Sequence, residues 1–590
     1  MASLEARSRR TNGRLWLGGI LVAHAGLLAW SAWCHSPAIN ETVHLAAGVS
    51  HVEFGRFDLL RVNPPLIRTL AALPVWLASP ATDWSHYDAH PLRRSEYRVG
   101  LDFSEANGSR VVRLVTIARW ACIPFSLLGG YVCFRWAGQL YGAMAGYLAL
   151  ALWCFDPYVL GYASLMMPDA HAAALGLAAS YSFWRWLKDP TWPRISTAAA
   201  LLGLAELAKF TALVFFAVWP ALWLVYRVPN RCDPRRWKPV REAAMLSAGL
   251  GISVLIINLG YGYEGSFQPL AAYRFQSRVL SGIQGSHGDL ATGANRVGGT
   301  RLGLLPVPVP KNYLQGIDTQ KSQCERDLWS YFRGRWQEGG RWYYDLYALA
   351  VKLPLGTWLL VVLATVAGVL GPGCVASWRN EIVLLLPVLV TLALVSSQTG
   401  LNMHSYYVLP VLPFAFVWMS KVVRFLRRQH PALGRMAAIG LCWALGSSLW
   451  VYPHSLSYFN ELAGGPRHGH FHLLDSNVSA GQDFLYLKQW LAQHPEADPL
   501  SMAVVGDIPA FVAAIADTRP LLLRGVLPRR HRRLLDLHLS HHVGECTSSA
   551  AGIGNIAAIV GIARMIGQNR GQALSISADR WRGGPGRSSA

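Results

Sequence analysis

Apolar runs of about the length needed to cross a lipid bilayer recur along almost the whole chain. A transmembrane helix needs roughly 20 consecutive apolar residues, and about eleven runs approach that length. They lie at 15–33, 112–134, 141–158, 169–187, 196–208, 210–226, 242–260, 346–370, 381–397, 406–421 and 436–453. The pattern predicts an all-α polytopic membrane protein, with the two short runs between 196 and 226 as its least regular part.

The composition supports a membrane protein and argues against a nucleic-acid partner. Of the 590 residues, 52% are hydrophobic and 15% are charged, whereas soluble proteins carry about 25% charged residues. The net charge is +21, but clusters of Lys and Arg lie in the short loops between the apolar runs. Membrane topology explains such a distribution, because loops on the cytoplasmic side are enriched in basic residues. No nucleic-acid binding is expected.

The basic loops also predict the orientation. With the N-terminus in the cytoplasm, nearly every short basic loop lies inside; these loops hold Arg135, Arg185, Lys188, Arg194, Arg227, Arg231, Arg235, Arg236, Lys238, Arg241, Arg379, Lys421, Arg424, Arg427, Arg428 and Arg435. Two long segments, 34–111 and 261–345, then face outward, as does everything after 453. Within the first, the apolar stretch 68–79 is too short to span and predicts a helix lying in the interface.

These assignments divide the chain into three parts. Residues 1–453 form the predicted transmembrane module. Residues 454–545 are expected to form a small outward α/β segment, with a helix at 485–491 and a strand at 501–505. Residues 546–590 are rich in Gly, Ala, Ser and Arg without clear periodicity, and we expect a poorly ordered tail there.

Polar and titratable side chains gather at the predicted outward ends of the spans. Each also has a purely structural interpretation: the acids suit the first turn of a helix, and the lysines could reach toward lipid headgroups. Charges at a bilayer are costly, so their convergence on one face favours a functional site. The set comprises Glu41, His44, Asp169, Lys209, Glu264, Lys352 and His404. Farther along, His468, His470 and His472 alternate as they would on a strand.

A carboxylate, an imidazole and a basic pair at a lipid boundary suit transfer of a group from a lipid phosphate. A lysine would stabilise the phosphate of the donor and of the leaving group. The carboxylate would accept the proton of an attacking hydroxyl. Long outward loops would hold the acceptor and exclude water. The residues themselves do not identify the transferred group.

Several motifs resemble those of the polyprenyl-phosphate-dependent integral-membrane glycosyltransferases of the class C fold, the group of the protein O-mannosyltransferases and aminoarabinose transferases. The resemblance covers roughly 15–490. It rests on these pieces: Asn40-Glu41 with His44, Gly55 and Asn63-Pro64-Pro65-Leu66 in the first loop; Asp169; Gly203 through Lys209; Trp342 through Pro354; and Tyr458 through Gly465, followed by Asp475 through Asp483.

The resemblance implies inverting transfer of a sugar from a polyprenyl-phosphate donor to a hydroxyl of a protein, lipid or envelope glycan. The reaction would occur on the outer side of a bacterial inner membrane. It implies Glu41 as general base, with His44 and Asp169 as further catalytic residues. Substrate would contact Asn40, Asn63, Lys209, Glu264, Lys352 and His404, with Arg274 and Arg278 as further phosphate candidates. Some family members use a divalent metal ion and others do not.

One departure from the family pattern leaves alternatives open. Where the family often has its catalytic Asp, this chain has Asn40, which cannot act as a base. The chain could therefore be a non-catalytic member that only binds lipid-linked sugar. A transporter or flippase for such lipids is a further alternative, although transporters place polar groups and broken helices near the bilayer midplane.

Overall fold

The computed structural model describes residues 2–227, 238–282, 293–326, 328–369, 377–427 and 430–495, together with two short strands at 501–505 and 522–526. Helices dominate, which confirms the all-α class. The N-terminal half contains α1 (Ala2–Cys34), α2 (Ile39–Phe54), α3 (Leu66–Leu77), α4 (Glu96–Asn107), α5 (Arg110–Tyr141), α6 (Ala143–Phe155), α7 (Pro157–Ala163), α8 (Pro168–Lys188), α9 (Trp192–Ala208) and α10 (Val214–Arg227). The remainder contains α11 (Pro239–Gly260), α12 (Arg278–Ser281), α13 (Lys311–Cys324), α14 (Tyr344–Lys352), α15 (Leu355–Val369), α16 (Trp378–Ser397), α17 (Leu412–Met419), α18 (Pro431–Val451) and α19 (Phe484–Gln493).

Every predicted span corresponds to a helix or a pair of helices. Within the described ranges, seven helical segments are long and apolar enough to cross a membrane, and the count reaches nine with two bent pairs. The pairs are α6 with α7, bent by 55°, and α14 with α15, bent by 108°. Helices α8 and α9 do not meet that criterion. Most of α8 is buried against other helices, so it needs little lipid-facing surface. The exact number of spans stays a prediction.

The basic loops come together at one end of the bundle. Lys421 Nζ lies 2.9 Å from Glu381 Oε2, and the Tyr141 hydroxyl donates to Glu381 Oε1 over 2.8 Å. These side chains come from the end of α5, the first turn of α16 and the 3₁₀ helix that follows α17. Helix α5 runs from Arg110 to this end, and its 32 residues correspond to about 48 Å of length. The other end of the bundle is therefore where α2, α3 and α4 lie.

The segment 34–111, predicted to face outward, is largely helical rather than an open loop. Helix α3 packs against α2 and α5, and it buries Ile67, Arg68, Ala71, Ala72 and Val75. Its opposite side exposes Leu70, Leu73, Trp76 and Leu77. One buried face and one exposed apolar face are what an interfacial helix next to lipid requires.

The C-terminal segment is docked onto the module. Phe459 and Leu473 join a buried cluster with Tyr331 from β1 (Trp329–Phe332) and Tyr344 and Val351 from α14. Strand β1 pairs antiparallel with β2 (Arg335–Glu338). Residues on the two sides of the boundary predicted at 453 therefore pack closely together.

Within the C-terminal segment, two predictions are confirmed and one is wrong. The helix expected at 485–491 is α19, and the strand expected at 501–505 is β3 (Ser501–Val505), which pairs in parallel with β4 (Leu522–Val526). His468 and His470 do not alternate on a strand, because Pro466–Phe471 is a 3₁₀ helix that begins with a proline. The predicted tail at 546–590 lies outside the described residues.

Candidate active site

A pocket with a cavity volume of about 110 Å³ opens where the ends of several helices meet. Helix α2, the loop after it, and the first turn of α8 form one side, while the end of α9, helix α13 and the start of the 405–425 span form the other. The lining is mostly polar. It consists of Asn40, Val43, His44, Leu60, Val62, Asn63, Arg94, Tyr97, Met167, Pro168, Asp169, Lys209, Gln320, Gln323, His404, Tyr406 and Tyr407. Six of the nine predicted site residues are among them.

Asp169 and Lys209 form a buried ion pair in the wall of the pocket. Asp169 is in the first turn of α8, where the partial positive charge of the helix N-terminus favours a carboxylate. Lys209 follows α9, and its Nζ contacts Asp169 Oδ1. The ammonium also lies 4.8 Å from the ring centroids of both Tyr406 and Tyr407. The two tyrosines orient Lys209 and shield the pair from water.

His44 lies next to two cations. The side chain is 3% exposed, and burial lowers its pKa to about 3, with further lowering from Arg68 and Lys209. The imidazole is therefore neutral at physiological pH. A neutral His44 avoids adding a third positive charge to this part of the pocket.

Arg68 is the most unusual charged group near the pocket. It is 1% exposed, and all three guanidinium nitrogens lack a hydrogen-bond partner among the described residues. Burial lowers its pKa to about 10, which still leaves the group cationic at neutral pH. An unpaired buried cation raises the free energy of the protein. An anion bound close to His44 would lower that cost by pairing with Arg68.

His404 closes the pocket on the side of the C-terminal segment. Its ring stacks on Tyr406 with the centroids 5.0 Å apart, and Nδ1 lies 2.8 Å from Ser476 Oγ. Asp475 Oδ1 is 3.6 Å from the same nitrogen. Burial lowers the pKa of His404, and the Asp475 carboxylate opposes that shift. The C-terminal segment thus takes part in building the site.

Asn40 and Asn63 line the pocket from α2 and from the loop that precedes α3. Both side chains are partly exposed. Within the described part of the chain, neither amide makes a side-chain hydrogen bond. Their amide groups are therefore available to a ligand, and their assignment to substrate binding stays a prediction.

Glu41 is turned away from the pocket. Its carboxylate accepts two hydrogen bonds from Arg119, at 2.9 Å to Oε1 and 2.5 Å to Oε2, and one from the Met166 amide at 3.0 Å. The Ala38 amide donates to Oε2 over 2.8 Å, which makes Glu41 a helix-capping residue as well. The side chain is fully buried. This environment resembles that of a structural ion pair that fixes the start of α2.

Lys352 and Glu264 also lie outside the pocket lining. Lys352 Nζ donates to the carbonyl oxygens of Leu456 (2.9 Å) and Asn477 (2.5 Å), so it attaches the C-terminal segment to α14. Glu264 accepts a hydrogen bond from the Phe57 amide at 3.2 Å. Arg274 and Arg278 are exposed and do not line the pocket.

Six polar or aromatic lining residues were not expected from the sequence: Arg94, Tyr97, Gln320, Gln323, Tyr406 and Tyr407. The two tyrosines directly follow His404-Ser405, and their position at a span boundary was a usable signal. The glutamines lie on α13, deep within a segment expected only to be a long loop. Arg94 stacks on Tyr97 (5.2 Å from the guanidinium carbon to the ring centroid) and pairs with Glu96.

No family model matches the chain, and no curated protein matches it. Solved structures that are similar include ArnT from Cupriavidus metallidurans in the apo state, with 13% identity over 86% of this chain and 85% of that chain and a TM-score of 0.46. ArnT from the same organism bound to undecaprenyl phosphate gives 13% identity, the same coverage and a TM-score of 0.45. Similarity at this level does not assign a substrate or a chemistry to this chain.

Proposed function

We propose that this chain is a membrane glycosyltransferase that moves a sugar from a polyprenyl-phosphate donor to a hydroxyl group on the outer side of a bacterial inner membrane. The observation that carries the proposal is the ion pair of Asp169 and Lys209 in the pocket wall, together with the unpaired Arg68 of the interfacial helix α3 close to His44. The motif order along 15–490 supports the same chemistry.

The charges of the pocket suit a lipid phosphodiester. Asp169 and Lys209 neutralise each other, whereas Arg68 has no partner among the described residues. A polyprenyl-phosphate sugar carries one negative charge, which would offset that of Arg68. Lys209 would then contact a phosphate oxygen, since a lysine acts as a mobile point charge toward phosphate. The exposed apolar side of α3 offers a surface for the isoprenoid chain.

Asp169 is the base that the geometry favours. When the phosphate draws Lys209 toward itself, the carboxylate becomes available to accept the proton of the acceptor hydroxyl. The acceptor oxygen forms the new bond to the anomeric carbon, and the bond from that carbon to the phosphate oxygen breaks. The bonding electrons leave with polyprenyl phosphate, and the configuration at the anomeric carbon inverts.

Glu41 has a positioning role in this proposal. The sequence-based hypothesis made it the base, but Arg119, Ala38 and Met166 already occupy its carboxylate. Its pairing with Arg119 holds the start of α2, and α2 presents Asn40 and His44 to the pocket. Lys352 likewise supports the site from outside, so Lys209 is the proposed phosphate lysine.

A non-catalytic lipid-sugar binder is the second candidate, because Asn40 lines the pocket where related motifs often carry an acid. The variant Asn40→Asp separates the two functions. A binder would gain measurable transfer, whereas an enzyme that uses Asp169 would stay unchanged or lose some activity, since neighbouring carboxylates raise each other's pKa.

The direct test is release of polyprenyl phosphate by the purified full-length protein from a panel of polyprenyl-phosphate sugars, with envelope glycans of a deletion strain identifying the product. Asp169→Asn should lower turnover by roughly 100-fold or more while donor binding persists. Asp189→Asn is the matched control, because Asp189 is an exposed carboxylate just after the other end of α8. Equal turnover of both variants would exclude Asp169 as the base.

A further inference from the structure

Three potential metal ligands meet where the first and last long apolar helices end on the outward side. His35 directly follows α1, His454 follows α18, and Asp483 precedes α19. His454 Nδ1 lies 3.2 Å from Asp483 Oδ1, and His35 Nε2 lies 3.8 Å from the same oxygen. The three ligand atoms all lie within 4.8 Å of one another. None of these residues lines the pocket described above.

The imidazole of His35 is oriented like that of a metal ligand. Its Nδ1 lies 2.8 Å from the carbonyl oxygen of Ser31, which can only accept, so Nδ1 carries the hydrogen. In the neutral ring, Nε2 then carries a lone pair, and this lone pair faces the carboxylate of Asp483. His35 is 5% exposed, and Nε2 has no hydrogen-bond partner among the described residues. Two electron-rich atoms facing each other in a buried place indicate a cation between them.

The carboxylate of Asp483 is fixed in a matching way. Its Oδ2 accepts a hydrogen bond from Gln482 Nε2 at 2.6 Å, which leaves Oδ1 directed at both imidazoles. Outer hydrogen bonds of this kind orient ligands in metal sites. The ring of Tyr486 packs against both histidines, with centroid distances of 5.6 Å and 4.7 Å, and covers the cluster.

We propose that His35, His454 and Asp483 bind a zinc ion, with a water molecule as the fourth ligand. Zinc prefers tetrahedral coordination by imidazole nitrogen and carboxylate oxygen at about 2.0–2.2 Å, which places ligand atoms roughly 3.3–3.5 Å apart. The separations of 3.2 Å and 3.8 Å to Asp483 Oδ1 are within a few tenths of an ångström of that value. Small side-chain movements would complete the site.

The ion would act as a clamp between distant parts of the chain. Next to His35, the Ser36 amide donates to the Gln482 carbonyl at 3.0 Å, and Ser36 Oγ accepts from the Phe484 amide at 3.0 Å. The Ile39 amide then donates to the Ala480 carbonyl at 2.9 Å. Helix α2 begins at Ile39, so zinc would hold the C-terminal segment against the helix that presents Asn40. This role is structural and does not depend on the proposed transferase activity.

The test uses full-length protein in detergent micelles, purified through a tag without histidine and stripped with a chelator. Titration with Zn²⁺ should show one equivalent bound at micromolar affinity or tighter, and Zn²⁺ should raise the melting temperature. Co²⁺ in its place should give the intense visible absorption of a tetrahedral centre. His454→Ala and Asp483→Asn should lose the equivalent, and Gln482→Leu should weaken it by roughly 10–100-fold.

His468→Ala is the matched control, because His468 lies in the same segment, is exposed, and bonds only to the Gly464 carbonyl among the described residues. It should bind zinc like the unmodified protein. If the stripped protein binds no zinc, or if His454→Ala and Asp483→Asn keep the full equivalent, the site does not exist, and Asp483 is only an ion-pair partner of the histidines. If either ligand variant fails to fold, two other measurements test the site. Weaker zinc binding by Gln482→Leu and a tetrahedral cobalt spectrum of the unmodified protein would support it, and the absence of both would exclude it.

Discussion

Arg68 and Arg119 are two buried arginines with opposite surroundings. Arg119 donates two hydrogen bonds to Glu41 and three to backbone carbonyls of Ala32, His35 and Ser36. Arg68 has no hydrogen-bond partner among the described residues. A charge that is expensive in the free protein and useful in the complex is typical of a binding site, where stability is lost for function.

The variant Arg68→Met should therefore keep or raise the melting temperature and weaken the binding of polyprenyl phosphate, on the order of 10-fold for the loss of one nearby charge. Arg119→Met should instead destabilise the fold by about 3–5 kcal/mol, because it leaves Glu41 charged and buried. Thermal unfolding and lipid-binding titrations of both proteins distinguish these effects. If Arg68→Met binds the lipid as the unmodified protein does, the lipid phosphate does not bind near Arg68.

Glu41→Gln tests the positioning role. The substitution removes the charge that Arg119 requires, so we expect a loss of stability of about 3–5 kcal/mol. A milder expression temperature or added lipid should then restore much of the turnover per folded molecule. A stable Glu41→Gln protein with turnover reduced 100-fold would instead identify Glu41 as the general base, as the sequence alone predicts.

His44 should make stability depend on pH. Its pKa in the folded protein is about 3, against 6.5 for the ordinary group, because of burial and the nearby charges of Arg68 and Lys209. The unfolded chain therefore takes up the proton first, and stability falls as the pH drops from about 6.5 toward 3. Melting temperatures across this range should fall less steeply for His44→Gln than for His468→Gln. Parallel curves would contradict the burial of a neutral His44.

At the level of residues, the sequence identifies participants better than it assigns roles. Asp169 and Lys209 are far apart along the chain, yet both line the pocket. The sequence indicates both, because each is a charged residue at the end of an apolar helix, where a charge is costly next to a bilayer. The roles of Glu41 and Lys352 depend on partners that no local pattern contains, namely Arg119 and two backbone carbonyls of the C-terminal segment. Arg68 was hidden within an apolar stretch that predicts only a helix.

At the level of elements, close helix packing relies on glycine. A Cβ atom at Gly356 of α15 would lie 2.2 Å from the Gly440 carbonyl oxygen and 2.4 Å from the Ala444 nitrogen of α18. Small residues at such contacts let membrane helices approach closely. The two helices follow the 108° bend at α14 and precede His454, so this contact supports both the pocket side and the proposed zinc site.

Gly356→Ala should therefore destabilise the protein by about 1–3 kcal/mol through overpacking. Gly251→Ala on α11 is the matched control, because a Cβ atom there meets nothing within 4 Å; it should be neutral or slightly stabilising, since alanine favours helix. Thermal unfolding in the same detergent provides the comparison. Equal melting temperatures would mean that α15 and α18 are not in close contact.

Hydrophobic periodicity predicts helices well here and fails where the chain is polar. Helix α3 and helix α19 are confirmed because apolar positions determine them. The strand predicted from the alternating histidines at 468–472 is wrong, because alternation over five residues is weak support for a strand. Pro466 begins a 3₁₀ helix there instead. Helix α13 carries few apolar residues, and its helical form depends on packing that a sequence pattern does not describe.

For the whole molecule, the arrangement of charges predicts which end faces out. The pocket and the docked C-terminal segment share one end, and the basic loops around Glu381 share the other. In a cysteine-free background, a single cysteine at His468 should react with a membrane-impermeant maleimide on intact spheroplasts, and one at Asp189 should react only after the membrane is opened. The reverse pattern would invert the topology and move the site to the cytoplasm.

The docking of residues 455–483 also has a consequence for biosynthesis. Ser476 contacts His404, and the Asn477 carbonyl accepts a hydrogen bond from Lys352. Residues 480–484 form hydrogen bonds with the segment that leads into α2. A nascent chain that has inserted its last span at Val451 therefore still lacks the residues that hold His404 and the start of α2, both of which border the pocket. About thirty more residues must emerge from the ribosome before the earliest loop acquires its final neighbours. The surroundings of the pocket are therefore complete only in chains whose synthesis has passed residue 484.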